Sequence, residues 1–157
     1  MNQEPTLEFL AMRLRKGGRS QFVASWSVKM ILSYLGSLGQ HSTLDSGLRL
    51  NSRRVQRMAN RWASEKGLPI MPPLIVLFEK GAKFEPLPDA LGTSFGILSL
   101  PLGNIIDVAD GAHRIAALKI TDQLRLLSDS MELPIEFIEC ENQEDAARLT
   151  ERIRSGN

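Results

Sequence analysis

The stretch Ile105-Ile-Asp-Val-Ala-Asp-Gly-Ala-His-Arg-Ile-Ala-Ala-Leu118 decides the fold, because it joins an apolar, β-prone run to an alanine-rich helix through a short polar turn. Such a turn lies at the helix N-terminus, where free backbone N–H groups and the positive end of the dipole attract phosphate. Gly111 lets an anion approach the backbone, and Arg114 is a forked donor suited to phosphate oxygens. The turn alone fits anion binding and simple helix capping equally well.

Two further side chains of the turn can carry chemistry. His113 can donate a hydrogen bond to phosphate or exchange a proton near neutral pH. Asp110 can cap the helix, orient His113 or hold a magnesium ion. The residues themselves leave these roles open.

Working outward from the turn, the hydrophobic pattern predicts a mixed α/β (α+β) fold with its strands in the second half. Strands or extended segments are predicted at residues 21–24, 74–78, 95–100, 104–108 and 134–140. Helices are predicted from residue 27 to the glycines at 36 and 39, and at 51–66, 111–127 and 143–154. Residues 79–83 are predicted to form a hairpin turn.

Composition bounds the class of protein. The 157 residues, 43% of them hydrophobic, suit one domain over 1–157 and exclude a disordered tail, a fibre and a disulfide scaffold. The single cysteine, Cys140, fits a reducing compartment and is expected to be a buried small hydrophobe. Neither a signal peptide nor an apolar run long enough to span a bilayer is visible, so we expect a cytoplasmic protein with no membrane partner.

The net charge of +1 hides an asymmetry between two parts of the chain. Residues 1–66, predicted to be mostly helical, carry 11 lysines and arginines against 4 acids, a net charge of +7. Residues 67–157, predicted to mix strands and helices, carry 8 against 14, a net charge of −6. The basic part could meet a polyanion, or the two parts could attract each other, and charge alone does not separate these alternatives.

The helix predicted at residues 51–66 concentrates the positive charge. Asn51 or Ser52 can cap it, and an apolar stripe runs along one side. The other side carries Arg53, Arg54, Arg57 and Arg61. Like charges one turn apart repel by a few tenths of a kcal/mol (~0.3), so this face indicates either nearby acids or a polyanion, with a solvated face as the alternative.

The turn and three other stretches of the sequence resemble a known family. Asp110-Gly-Ala-His-Arg114 is similar to the Asp-Gly-Gln-His-Arg signature of the DGQHR domain, with Ala112 in place of glutamine. Three further stretches resemble DndB-type proteins of bacterial DNA phosphorothioation systems in order and spacing: residues 13–19 followed by 22–24, residues 51–55 and residues 84–87. The resemblance covers about residues 7–154.

The resemblance implies a ParB/sulfiredoxin-like α/β fold whose signature loop contacts nucleotide phosphates. The residues that it assigns to a nucleotide, ATP or another with or without magnesium, are Asp110, Gly111, Ala112, His113 and Arg114. It also implies DNA binding in a system that replaces a backbone phosphate oxygen with sulfur, with the protein acting as a regulator. Together with the arginine helix, it assigns DNA contacts to Arg13, Arg15, Lys16, Arg19, Arg53, Arg54, Arg57 and Arg61.

Three functions therefore stay open. The first is a DNA-associated, nucleotide-responsive regulator that works with other phosphorothioation proteins. The second is a nucleotide-hydrolysing enzyme in which Arg114 neutralises charge, Asp110 holds a metal and His113 positions or deprotonates water. The third is a non-catalytic interaction module, which Ala112 favours slightly because it lacks the amide of the signature glutamine.

Overall fold

The computed structural model describes residues 3–16, 18–37, 50–65, 68–88, 94–124, 127 and 131–156. Its strands are β1 (Thr6–Lys16), β2 (Arg19–Ser27), β3 (Leu74–Glu79), β4 (Lys83–Pro86), β5 (Phe95–Pro101), β6 (Ile105–Asp110) and β7 (Glu132–Cys140). Its α-helices are α1 (Val28–Leu35), α2 (Ser52–Ser64), α3 (Ala112–Gln123) and α4 (Gln143–Ser155). The predicted α/β class is confirmed.

Strands from both parts of the chain share one sheet. Within the described residues its order is β4-β5-β1-β2-β7-β3-β6. Neighbouring strands are antiparallel except β3 and β7, which are parallel. Because β1 and β2 lie in the middle of the sheet, the basic part of the chain forms its centre and is not a separate appendage.

Helices cover the two faces of this sheet unequally. On one face, α1, α2 and α3 pack over a core that contains Trp26, Phe78, Leu118 and Phe137, all nearly inaccessible to water. On the other face, α4 packs against β3, β6 and β7 through a smaller cluster that includes Cys140 and Ala146. The alternating side chains of β3 and β7 supply both clusters, since successive residues of a strand point to opposite faces.

Polar caps fix where three of the helices begin. The side chain of Ser27 accepts a hydrogen bond from the backbone of Met30 at the start of α1. Asn51 accepts from Arg54 at the start of α2, and Asn142 accepts from Asp145 at the start of α4. These caps agree with the predicted starts of the three helices and satisfy backbone donors that the first turn leaves unpaired.

Three predictions of local structure are wrong. Residues 1–66 are not mostly helical, because β1 and β2 span 11 and 9 residues before α1 begins. The alternating apolar residues of these strands, such as Phe22 and Trp26, bury one face against the helices and so favour strands. Residues 79–83 are not a hairpin turn, since β4 pairs with β5 while β3 pairs with β6 and β7. The helix predicted to reach Leu127 ends at Gln123.

None of the helices formed by the described residues is both long and apolar enough to cross a membrane.

Candidate functional site

The turn between β6 and α3 is built on a glycine that no other residue can replace without strain. Gly111 is the N-cap of α3 with φ of 106°, a left-handed conformation that L side chains rarely adopt. A Cβ at this position would also overlap the side chain of Leu74, the first residue of β3. Since β3 runs antiparallel to β6, its start lies directly beside the end of β6, where Ile75 pairs with Asp110.

The first turn of α3 has no side-chain cap. Asp110 is therefore not the helix cap that the sequence allowed, because Gly111 occupies the cap position and Asp110 is the last residue of β6. The carboxylate of Asp110 instead pairs with Arg114, with 3.2 Å between Oδ2 and Nη2. The N–H groups at the start of α3 consequently keep their capacity to bind an anion.

Arg114 ties the turn to the segment that leads into β3. Its guanidinium donates to the backbone carbonyls of Pro72 and Pro73 as well as to Asp110, and only 12% of its side chain is exposed. Burial lowers the pKa of Arg114, Asp110 raises it and the charge of Arg54 lowers it again. Arg114 therefore holds the loop in shape and adds fixed positive charge beside it.

His113 connects the N-termini of two helices. Its Nε2 accepts a hydrogen bond from the backbone N–H of Asn51, at 3.1 Å, and Asn51 is the cap of α2. Burial lowers the pKa of His113, and the charges of Arg54 and Arg154 lower it further. The imidazole is thus neutral at pH 7 with its proton on Nδ1, because Nε2 is the acceptor.

These elements enclose a cleft of about 580 Å³ over the turn. Its charged lining consists of Arg54 from α2, Arg154 from α4, and Asp110 and Arg114 from the turn. The Nε of Arg154 donates to the carbonyl of Ala109 at 3.4 Å, which brings the end of α4 to the same strand end. Arginines outnumber the acid in this lining, because the fold brings Arg54 from the basic part of the chain to the turn.

The residues predicted to contact DNA differ in their exposure and in the groups that they contact. Arg53, Arg54 and Arg57 are exposed on α2, whereas Arg61 on the same helix pairs with Glu65 at 2.9 Å. Arg13 lies over the ring of Phe84, 4.8 Å from its centroid. Arg15 and Lys16 belong to β1, but their side chains lie outside the described part of the structure.

Arg19 has a different environment from the other DNA candidates. It makes a two-pronged ion pair with Asp145 at 2.6 and 2.7 Å and also donates to the carbonyl of Glu139. This pairing raises the pKa of Arg19 and holds the pKa of Asp145 well below its usual range. Arg19 is therefore engaged in joining β2 to the start of α4.

Sequence reasoning missed two parts of the cleft. These are Arg154 from α4 and Pro72 from the segment before β3. The first lies 40 residues beyond Arg114 in the sequence and reaches the turn because α4 packs across β6. No local spacing signals a contact of this kind, since it depends on the order of strands in the sheet.

The donor set of the cleft fits an anion better than a metal ion held by protein alone. Among the described residues, no group of three or more histidine, cysteine or acidic side chains could hold a metal. Of the residues that the structure describes, Asp110 is the one acid that lines the cleft, and Arg114 is paired with it. Cys140 is buried on β7, and burial raises the pKa of its thiol to about 11, which agrees with its prediction as a small hydrophobe.

The fold and the cleft define the class first: an α/β protein with an arginine-lined cleft at a strand-to-helix turn. The family model DndB, described as DNA-sulfur modification-associated, matches residues 9–144. The chain belongs to the DndB family, and this membership associates it with DNA sulfur modification. Comparison with the curated proteins and with the solved structures found no match.

Proposed function

We propose that this protein is a DNA-associated regulator of a bacterial DNA phosphorothioation system that binds a nucleotide through its phosphates at the Asp-Gly-Ala-His-Arg loop. The observation that carries the proposal is the cleft at the uncapped N-terminus of α3, where Arg54 and Arg154 from two other helices converge. Backbone N–H groups, a helix dipole and guanidinium groups are the donors that proteins use for phosphate. Family membership supports a role next to DNA chemistry.

The state of His113 favours binding over hydrolysis. A general base needs a free lone pair, but Nε2 of His113 already accepts the N–H of Asn51 and Nδ1 carries the proton. Nδ1–H can instead donate to a phosphate oxygen. Hydrolysis through Asp110, His113 and Arg114 is therefore the second candidate, and it predicts ATP turnover that a His113→Gln variant loses.

The DNA-binding part of the proposal rests on the exposed side of α2. The side chains of Arg53 and Arg57 form no hydrogen bond or ion pair with another described residue, and both residues are exposed. Guanidinium groups one turn apart can follow a phosphate backbone, which gives affinity without reading sequence. This role leaves base recognition unassigned and requires binding that weakens steeply with salt.

Calorimetric titration with ATP tests the nucleotide site by comparing alanine substitutions at two adjacent arginines. Arg54→Ala should weaken ATP binding about tenfold, the usual effect of losing one charge-assisted contact of ~1.5 kcal/mol. Arg53→Ala removes the same charge from the same exposed turn but does not line the cleft, so it should leave ATP affinity unchanged. Equal affinities for wild type and both variants would exclude the cleft as the nucleotide site.

Fluorescence anisotropy with duplex DNA at several salt concentrations tests the second part. Replacing Arg53 and Arg57 by alanine should lower affinity and reduce the slope of log K against log salt by about 2, one unit for each lost phosphate contact. Arg148→Ala, which removes an exposed arginine paired with Glu144 on α4, is the control. Absence of DNA binding at low salt would contradict this part.

A further inference from the structure

Beside the cleft, three exposed apolar residues form what we call the apolar ridge: Ile70, Pro72 and Pro73. Ile70 is fully exposed, at 105% of its reference area, in the segment between α2 and β3. Met71 lies between Ile70 and Pro72 in the sequence, but it packs against the core. An isolated exposed aliphatic residue is ordinary, but this one is followed at once by two exposed prolines.

The ridge is held in one conformation. Proline restricts its own φ and disfavours helical backbone at the residue before it, so the two prolines limit the conformations of this segment. Ile70 and Pro72 are both exposed, whereas Met71 between them is partly buried against the core. The carbonyls of Pro72 and Pro73 accept hydrogen bonds from Arg114, which fixes the ridge to the signature turn.

The position of the ridge indicates what covers it. Pro72 lines the cleft together with Arg54 and Arg114, and Ile70 is only two residues away, within about 7 Å along the backbone. A phosphate in the cleft would thus have a rigid apolar surface at its side. A ligand that fits both features has two parts. It carries a phosphate for the cleft and a flat, weakly polar group for the ridge.

We propose that the apolar ridge binds the base of a nucleotide unit whose phosphate occupies the cleft. This inference rests on the proposed function and extends it, because it assigns affinity to the base as well as to the phosphates. Bases pack on protein surfaces through their faces, which is tolerant of base identity. Because the ridge is preorganised, burying it against a base costs little conformational entropy. The base could belong to a free nucleotide or to the end of a DNA strand.

Calorimetry with ATP and with tripolyphosphate, which lacks a base, tests the ridge. Ile70→Ala should weaken ATP binding about fivefold and leave tripolyphosphate binding unchanged, because only the base loses apolar contact. Leu124→Ala, which truncates a 60% exposed leucine at the far end of α3, should change neither affinity. Equal effects on both ligands, or no effect of Ile70→Ala on ATP, would overturn the inference.

Two further outcomes separate this inference from the proposed function. If tripolyphosphate binds as tightly as ATP to the wild type, the phosphate site stands and the ridge is not a base site. If neither ligand binds, both proposals fail. A 5′-phosphorylated single-stranded oligonucleotide, compared with the same strand abasic at its first position, shows whether the base comes from DNA. Loss of affinity on Ile70→Ala only for the strand with its base assigns the ridge to a strand end.

Discussion

The Arg19–Asp145 ion pair and the arginines that line the cleft differ in how nearby acids balance their positive charge. Arg19 meets Asp145 in a two-pronged pair, and the contact raises the pKa of the arginine and lowers that of the acid. In the cleft, by contrast, burial and Arg54 lower the pKa of Arg114, with Asp110 alone opposing them. The first is a pair of one arginine and one acid, whereas in the second Arg54 lies close enough to the Arg114–Asp110 pair to lower the pKa of Arg114.

This difference distinguishes arginines that stabilise the fold from arginines that are placed to bind a ligand. The Arg19–Asp145 pair stabilises the fold, and its two opposite charges leave little net attraction for a large anion. Arginines that lie near one another raise the local positive potential and attract anions, and such groups are common at binding sites. Arg19, predicted from the sequence to contact DNA, thus belongs to a structural ion pair, whereas Arg54 and Arg154 line the cleft.

Substituting Gly111 should have the largest effect. Gly111→Ala places a Cβ against Leu74 at a positive φ, which should lower the free energy of unfolding by about 3 kcal/mol. Gly156→Ala is the control, since Gly156 also has a positive φ of 74° but has open space around it. Chemical denaturation should show a loss of only about 1 kcal/mol for that variant. Similar losses for the two would show that the contact with Leu74 is unimportant.

Breaking the matched pair should have the next largest effect. Asp145→Asn leaves the guanidinium of Arg19 without its counter-charge and should cost about 2 kcal/mol at pH 7, less than a fully buried pair because Arg19 is partly exposed. Glu144→Gln, which removes an exposed pair on the same helix, should cost about 0.3 kcal/mol.

The same pair predicts a pH dependence. The pKa of Asp145 is depressed in the folded state, so its stabilisation is present above the unfolded pKa of about 4 and is lost as the pH falls below that value. Denaturation curves should show the wild type and Asp145→Asn converging between about pH 5 and pH 2. A difference that stays constant over this range would contradict the pairing.

The smallest predicted effect is a change in the pKa of His113 when ATP binds. Its pKa should lie below 6.5 in the free protein and should rise when ATP is added, because bound phosphate offsets the charges of Arg54 and Arg154. Histidine ring signals in NMR spectra follow this titration, with His113→Gln as the variant that assigns them. A pKa at or above 6.5 without ligand would show that the arginines do not act on the ring.

Local patterns predicted much of the fold. Caps such as Ser27 and Asn51 and the apolar period of each helix located α1, α2 and α4, and compact β-prone runs located β3, β5, β6 and β7. The β1–β2 hairpin was predicted only as a short extended segment at residues 21–24, although Phe22, Ala24 and Trp26 alternate in burial along β2. The burial of that strand face is a tertiary effect that overrides local propensity.

The candidate site was predicted only where it is continuous in sequence. The turn from Asp110 to Arg114 was identified because a strand, a glycine and a helix follow one another there. Arg154 and Pro72 reach it through the packing of α4 on β6 and the antiparallel pairing of β3 with β6, which local spacing does not encode. The hydrogen bond of Asn51 to His113 likewise joins residues 62 apart and decides which nitrogen of the imidazole carries its proton.

Nucleotide binding at the turn is tested most directly by mapping backbone amide shifts of the ¹⁵N-labelled protein during titration with ATP. We expect the largest shifts at Ala112, His113 and Arg114, the first turn of α3, while amides around Arg19 and Asp145 stay unchanged. Saturable shifts around the Arg19–Asp145 pair, or no shift in the first turn of α3 at millimolar ATP, would contradict it.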